Sequence, residues 1–167
     1  MPSSRGYITM ARRSDEVPGT PISFSDLETM WREGDLGTAS RGAWLTNVLE
    51  QILEPYGAQR LSYLCREATV LDPSAVKAAI EALRMLIQRM SVNPSYLYEL
   101  TRQDMFSAAE IAEILNGPPN LQGPPRYGDD GDDLLFLAWF LRAHLSILEL
   151  ADSSGKIVLC GQSEEPS

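Results

Sequence analysis

The chain has 167 residues, of which 44% are hydrophobic and 22% are charged, and this composition is typical of a folded protein. Its formal net charge of -9 opposes binding to phosphate backbones and anionic lipids, so neither nucleic acid nor a membrane surface is expected as a partner. No segment reaches the roughly 18 consecutive apolar residues of a membrane-spanning helix. The two cysteines have no disulfide-scaffold or metal-site spacing, and we expect a cytoplasmic bacterial protein.

The negative charge is concentrated in the C-terminal third of the chain. Residues 1–103 carry 12 acidic and 11 basic side chains, whereas residues 104–167 carry 11 acidic and only 3 basic ones. This asymmetry favours attraction of a basic partner to the C-terminal part.

The first 22 residues show no sustained periodicity and contain Pro2, Pro18, Gly19 and Pro21. This pattern predicts a flexible N-terminal arm over residues 1–22. We expect one helical domain over residues 23–162, followed by a frayed tail over residues 163–167.

Helical spacing of apolar residues begins after the arm. Ser25 and Glu28 form a candidate capping box for a short helix that ends near Gly34. A second apolar stripe runs through "AWLTNVLEQIL" and ends at Pro55 and Gly57. Over residues 58–71 the period favours helix, although "LSYLC" and "TVL" are also compatible with short strands.

The clearest helix starts at Asp72, a good N-cap residue, with Pro73 at the first helical position. Asn93 and Pro94 repeat this start signal for a following helix. Ser107 and Glu110 form another capping box, for a helix that ends at 116–117.

A long irregular segment follows, "NGPPNLQGPPRYGDDGDD", residues 116–133. Its two Gly-Pro-Pro triplets exclude helix and central strand, and loops of this length are often functional. The next segment, from Leu134, is apolar on almost all sides and predicts a buried helix. The predicted fold is therefore all-α, a compact bundle of six or seven helices with a long Gly/Pro-rich loop before the buried C-terminal helix. It contains at most one or two short strands, of which "GKIVLCGQ" is one candidate.

Four aspartates, Asp129, Asp130, Asp132 and Asp133, precede the buried helix. They do not match the ligand spacing of a calcium-binding EF-hand loop, and no second acidic motif completes a magnesium site. Asp132 or Asp133 can cap the helix and interact with its dipole, which accounts for at most two of the four. The cluster is therefore interpreted either as a helix cap alone or as a surface that meets a basic partner, which would account for the other two aspartates. In the second interpretation, Tyr127 beside the cluster is a candidate interface anchor.

Catalytic and cofactor-binding motifs are missing from the sequence. The single histidine, His144, falls inside the apolar C-terminal helix, where a core or edge residue with hydrogen-bond partners is a better interpretation than a general base. No phosphate-binding loop, dinucleotide fingerprint or zinc motif is present, so we expect neither an enzyme nor a cofactor or metal.

A small acidic protein without catalytic motifs suits tight binding of a basic protein. We therefore expect an immunity protein that neutralises a cognate bacterial toxin through Tyr127, Asp129, Asp130, Asp132 and Asp133. The alternatives are a secretion chaperone or adaptor with an apolar groove, and a helical small-ligand-binding protein or enzyme. The sequence leaves the oligomeric state open.

Overall fold

The computed structural model describes residues 6–17, 22–33, 37–41, 49–101, 107–119 and 134–162. These residues form mostly helices, together with a small antiparallel sheet of four strands. The expected helical character is confirmed, whereas the limit of one or two short strands was wrong.

The sheet brings together strands from both ends of the chain. In chain order its strands are β1 (Gly6–Arg12), β2 (Gly37–Arg41), β3 (Thr69–Leu71) and β4 (Ile157–Gln162). The spatial order is β2-β1-β4-β3, and every pair is antiparallel. The register places Thr9 opposite Cys160 and Cys160 opposite Thr69, so these three side chains share one face of the sheet.

Strand β1 contradicts the prediction of a flexible arm over residues 1–22 for its own residues, whereas residues 1–5 and 18–21 lie outside the described ranges. Gly6–Arg12 pairs on one side with β2 and on the other with β4, and Met10 is fully buried. The prediction failed because the prolines on both sides of "GYITMAR" indicated irregular structure. The hydrogen-bonding partners of this short strand also come from distant segments. The predicted frayed tail, residues 163–167, lies outside the described residues.

The described residues contain six α-helices. They are α1 (Phe24–Glu33), α2 (residues 49–53), α3 (Pro73–Val92), α4 (Ser95–Thr101), α5 (Ala108–Asn116) and α6 (Leu134–Ser154). Two 3-10 helices lie at Ser14–Glu16 and Gln59–Cys65. Both alternatives for residues 58–71 are therefore correct in part, since a 3-10 helix is followed by strand β3.

Hydrogen-bonding side chains fix where α3 and α5 begin. The carboxylate of Asp72 accepts a bond of 2.8 Å from the backbone N–H of Ala75, as predicted. The predicted capping box of Ser107 and Glu110 is also confirmed. The predicted capping box of α1 was wrong. Ser23 and Asp26 exchange the capping hydrogen bonds that were expected of Ser25 and Glu28.

The two faces of the sheet pack against different helices. On one face, Ile8, Met10 and Leu159 form a small apolar cluster with Phe24 and Leu27 of α1. The opposite face packs on α6 and on the 3-10 helix Gln59–Cys65. The alternation of side chains along β1 and β4 thus supplies apolar groups to both layers.

Helix α6 lies at the centre of the larger apolar cluster, as its sequence predicted. It packs against α3, α5 and the sheet, and residues 137–141 are each at most 3% exposed. The helix ends at Gly155, whose φ of 68° favours glycine, and the N–H of Lys156 bonds back to the carbonyl of Ala151. This turn directs the chain from α6 straight into β4.

Candidate functional site

The predicted partner-binding residues Tyr127, Asp129, Asp130, Asp132 and Asp133 lie outside the described residues. The predicted capping of α6 by Asp132 or Asp133 lies there too. These residues belong to positions 120–133, which we call the acidic segment. The structure does describe the residues that border it, which are Gly117–Pro119 before it and α6 after it.

Both flanks of this segment are held by α6. The side chain of Arg142, on α6, donates from Nε to the carbonyl of Gly117 over 2.7 Å, at the point where α5 ends. Leu134 and Leu135, at the start of α6, are 1% and 2% exposed. The described residues on both sides of this segment are therefore positioned by the same helix, α6.

The most distinctive polar arrangement within the described residues surrounds His144. Its Nδ1 lies 3.1 Å from Oγ1 of Thr9, and its Nε2 lies 2.7 Å from the hydroxyl oxygen of Tyr63. A neutral imidazole has one donor nitrogen and one acceptor nitrogen, and a hydroxyl group can fill either complementary role. Both ring nitrogens therefore have a partner, as the interpretation of His144 as a core residue predicted.

Three separate elements position this polar cluster. Thr9 comes from β1, Tyr63 from the 3-10 helix Gln59–Cys65, and His144 from the middle of α6. The ring of His144 also stacks on Phe140, one turn earlier, with ring centroids 6.0 Å apart. The sequence did not indicate Thr9 or Tyr63, although the alternation of polar and apolar residues in "YITMA" is a strand signal that could have placed Thr9.

Burial controls the protonation of the cluster. Because His144 is 1% exposed, the cost of desolvating an imidazolium lowers the pKa of His144 to about 3. Burial also raises the pKa of Tyr63 well above its ordinary value, and Cys160 adds a smaller contribution in the same direction. At neutral pH the cluster is therefore uncharged and shielded from solvent, an arrangement suited to holding β1 and the 3-10 helix on α6.

The described residues contain no group of three or more histidine, cysteine, aspartate or glutamate side chains placed to hold a metal ion. Within the same ranges, no helix combines the length and apolar character required to cross a bilayer.

No known protein family, no curated protein and no solved structure matches this chain.

Proposed function

We propose that the protein is an immunity protein that neutralises a basic toxin domain by binding it through Tyr127, Asp129, Asp130, Asp132 and Asp133. One observation carries the proposal: residues 104–167 hold 11 acidic and only 3 basic side chains, and four of the acidic ones lie within five positions. A field of this sign speeds the encounter with a cationic protein, which matters when a toxin must be captured before it acts.

Two features of the described structure support binding over catalysis. The only histidine of the chain is buried between Thr9 and Tyr63, where it is neutral and out of reach of a substrate. The residues on either side of the acidic segment are held by Arg142 and by the buried start of α6.

Growth rescue tests the function. The product of the adjacent reading frame in the source genome is expressed from an inducible promoter, with and without this protein. The proposal expects growth arrest by that product alone and recovery when the two are expressed together. A product that does not arrest growth, or an arrest that persists on co-expression, would count against an immunity function.

Association kinetics test the surface. Replacing Asp129 and Asp130 by lysine should slow association with the purified toxin domain by roughly 10-fold or more at low salt, as expected for steered encounters. The matched control replaces the exposed residues Glu54 and Glu67 by lysine and changes the net charge equally. Equal effects of the two double variants would show that net charge, and not this segment, determines the rate.

A further inference from the structure

A second surface, remote in sequence from the acidic segment, forms a groove on α3. It is open to solvent, has a volume of about 790 Å³, and lies along the outer side of α3. Its apolar wall is formed by Pro55, Tyr56, Met85, Val92 and Tyr96. We refer to these five residues together with Arg89 as the α3 groove.

Two large apolar side chains of the α3 groove, Met85 and Val92, are exposed to solvent. Among the described residues, the exposed large hydrophobic side chains are those of Met85, Val92 and Leu150, and the first two line this groove. Val92 is 79% exposed and Met85 is 45% exposed, whereas the residues on the inner side of α3 are buried. An apolar occupant would remove this surface from water, which stabilises a complex.

The α3 groove also contains a positioned positive charge. Arg89 is the only charged residue among the described residues that line it. Its Nη1 donates to the backbone carbonyl of Tyr56, so one side of the guanidinium is already fixed. Gly57 permits this approach, because a Cβ at that position would lie 2.2 Å from Arg89 Nη1. An arginine held in this way is suited to binding a carboxylate.

We propose that the α3 groove binds a short segment of a partner protein in which a bulky apolar side chain stands beside an aspartate or glutamate. The apolar side chain packs on Met85, Val92 and Tyr96, and the carboxylate accepts hydrogen bonds from Arg89. A second copy of this chain is a poorer occupant, since two chains of net charge -9 repel each other. The inference concerns a separate surface and does not depend on the proposed immunity function.

Selection from a phage-displayed library of random 12-residue peptides tests the specificity. The full-length protein is the target, and peptides that also bind the Val92→Asp variant are discarded. We expect the remaining peptides to combine leucine, phenylalanine or tryptophan with a neighbouring acidic residue. The inference is overturned if no peptide depends on Val92, or if the selected peptides lack acidic residues.

Affinity measurements on one selected peptide, synthesised with a fluorophore, test the role of Arg89. Arg89→Gln should weaken binding by ~10-fold or more, because a charge-assisted hydrogen bond is lost. Arg84→Gln, on the same helix but outside the α3 groove, should leave the affinity unchanged. Equal losses of affinity in both variants would overturn the proposed binding of the carboxylate by Arg89. Circular dichroism and urea midpoints establish that the variants are folded. Sedimentation tests the alternative occupant: if the wild type forms a dimer that Val92→Asp abolishes, a second copy of this chain occupies the α3 groove instead.

Discussion

The hydroxyl oxygen of Tyr63 lies 2.7 Å from Nε2 of His144, and both side chains are buried. Removing the hydroxyl in Tyr63→Phe leaves a buried ring nitrogen without its partner. We expect the free energy of unfolding to fall by ~1–3 kcal/mol, as is typical when a buried polar group loses its hydrogen bond. In a His144→Leu background the same change should cost much less, because the orphaned nitrogen is no longer present. Urea denaturation of the wild type, the two single variants and the double variant measures the coupling free energy between Tyr63 and His144.

Tyr96→Phe is the matched control for this cycle. Its hydroxyl donates to the carbonyl of Gln51 over 3.3 Å at an exposed position, so its loss should change stability by no more than ~0.5 kcal/mol. Additive effects of Tyr63→Phe and His144→Leu would contradict the proposed coupling.

The depressed pKa of His144 should make stability depend on pH. In the unfolded chain this residue titrates near its ordinary value of 6.5, whereas burial holds the pKa at about 3 in the folded protein. Between these values only the unfolded state binds the proton, so stability falls as the pH falls, by ~1.4 kcal/mol per unit, and is unaffected by this residue above pH 6.5. Urea unfolding at pH 7.5, 6.5 and 5.5 should show this decline in the wild type and a smaller one in His144→Leu. Equal stabilities of the wild type at pH 6.5 and 5.5 would contradict the assignment.

Gly161 is required where β4 passes the segment before β3. A Cβ at this position would lie 2.0 Å from the backbone carbonyl oxygen of Glu67, and a backbone group cannot move aside as a flexible side chain can. We expect Gly161→Ala to lower the free energy of unfolding by ~1–3 kcal/mol, as overpacking does. Gly155→Asn serves as the control, because a Cβ there meets nothing within 4 Å and asparagine tolerates a positive φ. A smaller loss for Gly161→Ala than for Gly155→Asn would be inconsistent with the close approach.

Arg142 should stabilise the end of α5 specifically. Arg142→Ala removes the bond to the carbonyl of Gly117, and a hydrogen bond from a charged donor contributes ~1.5–3 kcal/mol. We expect faster backbone hydrogen exchange over residues 113–117 in this variant. Lys77→Ala is the control, since the ion pair of Lys77 with Asp152 is largely solvent-exposed and should contribute ~1 kcal/mol or less. Unchanged exchange over residues 113–117 in Arg142→Ala would argue against this role.

The two thiols should both react slowly in the folded protein, for different reasons. Burial, with a smaller contribution from Glu50, raises the pKa of Cys65 from 9.0 to about 11. Because the thiolate is the reactive form, alkylation of Cys65 by iodoacetamide at pH 8 should be ~100-fold slower than in urea-unfolded protein. Cys160 is fully buried and should react only on unfolding. Mass spectrometry of timed reactions measures both alkylation rates. Equal rates for Cys65 in folded and unfolded protein would contradict the raised pKa of this thiol.

The sequence was sufficient for features that depend on neighbouring residues. Asp72 and Pro73 begin α3, and Ser107 with Glu110 begins α5, because a capping bond joins residues only three positions apart. The burial of α6 and of His144 followed from the apolar residues on all sides of that helix. The Tyr127 and aspartate surface stays a prediction, because those residues lie outside the described ranges.

The sheet and the polar cluster depended on the tertiary structure. Strand β1 pairs with β4 from the other end of the chain, and no local pattern in "GYITMAR" identifies that partner. In the same way, His144 obtains its hydrogen bonds from Thr9 and Tyr63, which are 135 and 81 positions away. A helix satisfies its backbone hydrogen bonds within its own segment, whereas a strand and a buried side chain need partners that only the folded chain brings near.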